Sequence, residues 1–113
     1  MTPKPGEVWL VDLGLAAKTR PAVIVSRYDP DPPRALVLYV PVTTQNRGSA
    51  YEVDLSSVSF LRKGSVANVQ GLGSVPVVRL ECKLGELPAS TLFEIKQALA
   101  FVLDLEVKAL QDL

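Results

Sequence analysis

Two short stretches of this chain combine side chains able to hold an anion. In TRPAVIVS, Arg20 stands before Pro21 at the entry to an apolar run, where a guanidinium can present its planar fork of donors to a phosphate. In VPVTTQNRG, an apolar strand passes within a few residues into the hydroxyls of Thr43 and Thr44, the amides of Gln45 and Asn46, and the guanidinium of Arg47. Taken singly, each has a plain alternative: Arg20 as an exposed residue closing a loop, the threonines as an ordinary strand end or turn. The chain has no histidine, so no imidazole can serve as general base, proton shuttle or metal ligand. A Ser-His-Asp triad, a paired-histidine nuclease and a His-ligated zinc site are thereby excluded. One cysteine, Cys82, is too few for a structural zinc site or an internal disulfide, which fits a reducing compartment.

These residues need a scaffold, and the period of the sequence supplies one. EVWLVDL (7–13) alternates between Gly6 and Gly14 and is expected to be a strand. Pro21 biases Arg20 towards extended backbone and opens a second strand, PAVIVS, antiparallel to the first. DPDPPR (29–34) has too few amide donors to join a ladder and must be a loop. ALVLYVPV (35–42) is the most apolar strand, with Pro41 marking a bulge or an edge. YEVDL (51–55), SVANVQ (65–70) and VPVVRLECKL (75–84) follow as further strands. From Ala89 the period becomes helical: Leu92, Ile95, Leu99 and Val102 recur on one face to about Leu103, and Thr91 with Glu94 can form a capping box. Phe93, Phe101 and Leu105 belong to the core or to a dimer interface, with the core favoured, while the role of LEVKALQDL stays open. Short strands at these intervals, closed by a C-terminal helix, predict a mainly β, α+β chain built as a small barrel or sandwich.

The chain of 113 residues fits a single domain, residues 1–113, with 48% hydrophobic residues to build one core. No stretch approaches the roughly 18 unbroken apolar residues of a spanning helix, and MTPKPGEVW lacks the apolar centre of a signal peptide. A cytoplasmic protein without a membrane partner is expected. The net charge is zero, but residues 1–63 carry eight Lys or Arg against six acids and residues 64–113 four against six. That asymmetry only hints at an anionic partner.

The order PGEVWLVDL, RPAVIVS, VPVTTQNRG, YEVDL, SVANVQ, KLGEL and then a helix resembles the MazF/PemK-like toxin family of messenger-RNA endoribonucleases. The match runs from Gly6 to about Leu105, and the order of the pieces is more specific than any one of them. The resemblance implies an SH3-like barrel of the MazF/PemK/CcdB type, a homodimer, and cleavage of single-stranded RNA to a 2′,3′-cyclic phosphate and a 5′-hydroxyl. It implies a cognate antitoxin whose disordered acidic segment covers the basic face. The family's essential arginine falls on Arg20, and its essential threonine, the first of the pair, on Thr43. Lys18, Thr19, Thr44, Gln45, Asn46, Arg47 and Gln70 become RNA-binding candidates. The chain departs from the pattern where GLAAKT is short and lacks an acid, and where Asn68-Val69-Gln70 replaces an Asp-Gln pair, so a different cleavage motif or weaker activity is expected.

Cleavage needs neither histidine nor metal or cofactor in this scheme. The ribose 2′-hydroxyl attacks the adjacent phosphorus, and charge gathers on the equatorial oxygens. Arg20 and Thr43 donate to those oxygens, each donor of this kind being worth about 3 to 4 kcal/mol. Arginine is a poor general base, so Arg20 is better cast as clamp and proton donor to the leaving oxygen. Two competing readings are a non-catalytic CcdB-like toxin that poisons gyrase and a degenerate member that only binds its antitoxin. Neither needs the arginine and the threonine pair together.

Overall fold

The computed structural model describes residues 2–14 and 18–105. The tail after Leu105 and the middle of GLAAKT therefore lie outside the described residues. In chain order the described elements are β1 (Glu7–Asp12), β2 (Thr19–Ile24), β3 (Leu36–Thr43), β4 (Glu52–Asp54), β5 (Val66–Asn68), β6 (Gly73–Pro76), β7 (Leu80–Glu86) and α1 (Ala89–Val102). The strands form a mainly antiparallel sheet in the order β4-β5-β3-β2-β1-β7, with β6 also paired to β3. The mainly β architecture with one C-terminal helix agrees with the sequence.

β3 organises the sheet because its eight residues are long enough for two partners along one side. Leu36 to Tyr39 pair with β6, and Val42 and Thr43 pair with β5, while β2 lies along the other side. Pro41 falls in the gap between the β6 and β5 pairings, where a missing amide forfeits no ladder bond on that side. The proline, itself opposite Ala22, thus marks a change of partner, and β3 continues past it paired with β5. A short 3-10 turn, Val69–Gly71, crosses above this point. A Cβ at Gly71 would come within 2.7 Å of Pro41 Cγ, so the close crossing requires glycine.

Two strand expectations need correction. VPVVRLECKL is divided: Pro76 ends β6, a 3-10 turn takes Val77–Arg79, and β7 starts at Leu80. Proline cannot donate into the ladder, so the run breaks there. SVANVQ stops as a strand at Asn68, whose side-chain oxygen accepts the Gln70 N–H at 3.1 Å and turns the chain into the 3-10 segment.

Ala22, Val23 and Ile24 are consecutive and fully buried because β2 has an apolar cluster on each face. Val23 joins Val8, Val40, Leu55 and Ile95, whereas Ala22 and Ile24 join Val11, Val37 and Leu80. The helix covers the first cluster with Ile95, aided by Ala98, Leu99 and Val102. Its capping is not the Thr91–Glu94 box. Leu87 is buried and donates its N–H to Gly6 at 2.9 Å, so the helix starts straight after Pro88 and Thr91 falls inside the first turn. The core placement of Phe93, Phe101 and Leu105 is also overturned, since they are 56%, 55% and 51% exposed. A 3.6-residue period turns positions two and six residues from Ile95 away from the core. Ile95→Ala is expected to destabilise the fold by about 2 to 5 kcal/mol, read as a lower denaturation midpoint with the slope unchanged.

Glu7 of the GEVW opening ties β1 to β7. Its carboxylate accepts from Trp9 Nε1 at 2.9 Å and lies 3.3 Å from Lys83 Nζ. Burial raises its pKa, but Trp9, the Lys4 backbone and Lys83 outweigh this and hold the group below its ordinary value. This part of the motif serves the scaffold.

Candidate active site

β2 and β3 pair from Ile24 and Tyr39 outward to Ala22 and Pro41, and there the ladder stops. Pro21 and Pro41 both lack a backbone N–H at this point. Both strands nevertheless continue, each held by its outer neighbour: Arg20 faces Val11 of β1, and Thr43 faces Val66 of β5. Extending the β2–β3 register by two residues sets Arg20 opposite Thr43. A groove of about 820 Å³ opens where the strands part, and both side chains line it.

Its chemistry is cationic and rich in donors. Arg20, Arg47 and Arg62 contribute guanidiniums against one carboxylate, Glu52. Among the described residues none of the three arginine side chains forms an ion pair. Thr43 Oγ1 accepts the Gln45 N–H at 3.1 Å, which orients the hydroxyl and leaves its hydrogen free to donate. Apolar walls come from Leu13, Pro21, Pro41, Val42 and Leu61. No aromatic ring lines the groove among the described residues. Nor do the described residues include a group of three or more His, Cys, Asp or Glu placed to hold a metal ion.

Of the residues singled out in the sequence, Thr19, Arg20, Thr43, Thr44, Gln45, Arg47 and Gln70 line the groove. Lys18 and Asn46 do not. Lys18 precedes β2 with a φ of 57°, and Asn46 spends its side-chain oxygen on the Gly48 N–H at 2.8 Å. Thr19 Oγ1 donates to Glu81 at 3.4 Å. The groove also contains Glu52, Arg62, Ser65 and Asn68, which the sequence did not flag as site residues. Arg62 stands in a turn closed by the Ser65 N–H and hydroxyl on its carbonyl, with Gly64 at a φ of 84°. The local composition, Arg62-Lys63-Gly64, is that of a turn and does not by itself point to a site.

The loop joining β3 to β4 is held by side chains. The Glu52 carboxylate accepts the Arg47 N–H, the Ser49 N–H and the Ser49 hydroxyl, each at 2.9 Å. The Arg47 and Ser49 amides are the main reason its pKa lies below the ordinary value, with smaller help from the Ser49 hydroxyl and the Arg47 charge against slight burial. Ser49 Oγ in turn accepts the Tyr51 N–H at 3.2 Å.

The family model for PemK-like, MazF-like toxins of type II toxin–antitoxin systems matches residues 4–103. The chain belongs to this family. It is 33% identical over 89 residues to the endoribonuclease MazF3 of Mycobacterium tuberculosis, covering 79% of this chain and 86% of that protein. Among solved structures, the M. tuberculosis toxin MazF-mt6 superposes with a TM-score of 0.78 at 30% identity, covering 91% of this chain and 99% of the other. A mycobacterial endoribonuclease in complex with its cognate antitoxin gives a TM-score of 0.81 at 29% identity, covering 92% and 97%. The MazF-like fold expected from the order of motifs is thus the observed one. No described helix is long and apolar enough to cross a membrane.

Proposed function

We propose that this MazF-like toxin is a cytoplasmic endoribonuclease acting on single-stranded messenger RNA, in which Arg20 and Thr43 do the chemistry within a single domain. The observation that carries this reading is the pair's convergence on one cationic groove in a chain of this family. The 2′-hydroxyl attacks the adjacent phosphorus in line, the 5′-oxygen leaves, and the products are a 2′,3′-cyclic phosphate and a 5′-hydroxyl. The Arg20 fork and the Thr43 hydroxyl donate to the equatorial oxygens as charge builds there. Arg20 also protonates the leaving oxygen, while water takes up the proton of the 2′-hydroxyl and returns one to Arg20. These donors belong to the chain itself, so the scheme runs without a metal or other cofactor.

Bases are read by Thr44, Gln45, Arg47 and Gln70, with guanidinium planes taking the stacking role that aromatic rings fill elsewhere. Thr19 and Lys18 approach the backbone beside Arg20. Exposed Leu36, Leu38 and Val78 supply apolar surface for a homodimer, Val78 being 88% exposed. An acidic, disordered antitoxin segment would compete with RNA for the three guanidiniums, which suits a reversible switch.

The test is incubation of the purified protein with a long unstructured RNA in excess EDTA, followed by analysis of the ends. Fragments whose 5′ ends accept a label from polynucleotide kinase without dephosphorylation, and whose 3′ ends are cyclic phosphates, support the scheme. Fragments with 5′-phosphates, or RNA left intact, overturn it. Arg62→Ala is expected to raise KM several-fold and to reduce the slope of log affinity against log salt by about 0.7, the value of one phosphate contact on a single strand. A salt titration of RNA binding checks this.

A further inference from the structure

Glu52 is the one carboxylate in the groove, and the chemistry above leaves it without a task. It faces Asn68 across the β4–β5 ladder, and its neighbour Val53 is buried in the core, so its backbone is fixed. The loop it reaches is different. Residues 44–50 are exposed, and a Cβ at Gly48 would meet nothing within 4 Å, so apolar packing does not shape this segment. Hydrogen bonds do: three donors from Arg47 and Ser49 converge on the Glu52 carboxylate at 2.9 Å. The other ties are short-range: Thr43 Oγ1 at the end of β3 accepts from Gln45, Thr44 O from Asn46, Asn46 Oδ1 from Gly48, and Ser49 from the Tyr51 and Glu52 amides. The Glu52 carboxylate is thus the tie that reaches Arg47 from the sheet, and at Ser49 it adds two bonds to the one made by its own backbone N–H.

We infer that Glu52 is a positioning residue for RNA: its carboxylate holds the loop so that Gln45 and Arg47 stand ready along the groove. This rests on the ribonuclease reading above. An RNA strand binding to a loop already ordered avoids the entropy cost of ordering it on association, so the contribution appears in affinity rather than in the chemical step. Glutamine is a partial substitute. Its oxygen can accept from one or two of the three donors, but its amide nitrogen cannot accept from the rest.

The test compares wild-type protein with Glu52→Ala and Glu52→Gln. Readouts are kcat and KM on natural RNA, Kd for a short single strand carrying 2′-O-methyl groups, which cannot supply the attacking hydroxyl, and hydrogen exchange at the Arg47 and Ser49 amides. Expected are a rise of about tenfold in KM and Kd for the alanine variant, a smaller rise for glutamine, and kcat within about threefold of wild type. Protection at both amides is lost while core amides keep theirs. Unchanged KM and Kd despite lost protection would overturn the inference, because the loop would then be anchored to no purpose for RNA. A fall in kcat at constant KM would overturn it too, placing Glu52 in the chemistry itself. If wild-type protein leaves natural RNA intact while the alanine variant still loses affinity for the methylated strand, the nuclease reading fails and the positioning role stands.

Discussion

Arg20→Ala is expected to lower kcat/KM for RNA cleavage by about a thousandfold or more, with little loss of fold stability. Stabilisation of a developing charge by one preorganised donor is worth about 10²- to 10³-fold, and guanidiniums placed on a transferring phosphoryl group can reach further. Arg20 is exposed at the start of β2 and forms no ion pair among the described residues, so its removal leaves no buried partner stranded. Arg20→Lys keeps the positive charge but loses the planar fork, and is expected to recover only a small part of the rate. Single-turnover cleavage under saturating protein separates the chemical step from binding. Activity of the alanine variant within about tenfold of wild type would remove Arg20 from the reaction.

Thr43→Val is expected to cost about 10²- to 10³-fold in kcat, the second-largest effect. Valine keeps the β-branched shape that suits the end of β3 and removes only the hydroxyl. Two functions go with that oxygen: donation into the groove, and acceptance of the Gln45 N–H at 3.1 Å. Thr43→Ser restores both and should recover most of the rate, with a modest loss from the freer rotamer. The Gln45 tie is worth only about 1 kcal/mol, so a small change in thermal midpoint beside a large fall in kcat identifies the hydroxyl as a reacting-site donor. On the proposed scheme, in which Arg20 and Thr43 address the same oxygens, the double variant should be little slower than the worse single one. A fully multiplicative loss would mean that the two act at different places.

The sequence was most legible where local pattern and physics coincide. VWLV, AVI and LVLYV are strands because β-branched and apolar residues favour the extended backbone of a sheet, and a window of a few residues carries that information. The helix over Ala89–Val102 was equally plain from its period, its start at Ala89 included, but its capping was not. Pro88 and the buried Leu87 set where the chain leaves the sheet, and neither belongs to the helical pattern. The aromatic residues of the helix were misplaced for a related reason. Hydrophobicity says that Phe93 and Phe101 favour burial, whereas the face that the helix turns to the core, that of Ile95, decides which side chains receive it.

Loops carried the least. Arg62 sits in a turn without periodicity, and Glu52, although on the expected strand β4, gives no local sign of what it faces; their membership of the groove depends on where the fold places them in space. By composition alone this chain excluded imidazole chemistry, offered an arginine before a proline and a threonine pair after a strand, and arranged its motifs in the order of a toxin family. Such facts follow from residue identity and short-range spacing, which need no fold to be read. The meeting of Arg20 with Thr43 at one groove, with Arg62 and Glu52 beside them, came only from the tertiary structure. It depends on strand register and on the ladder ending between two prolines, and register is set by side chains far apart in the chain packing on both faces of the sheet.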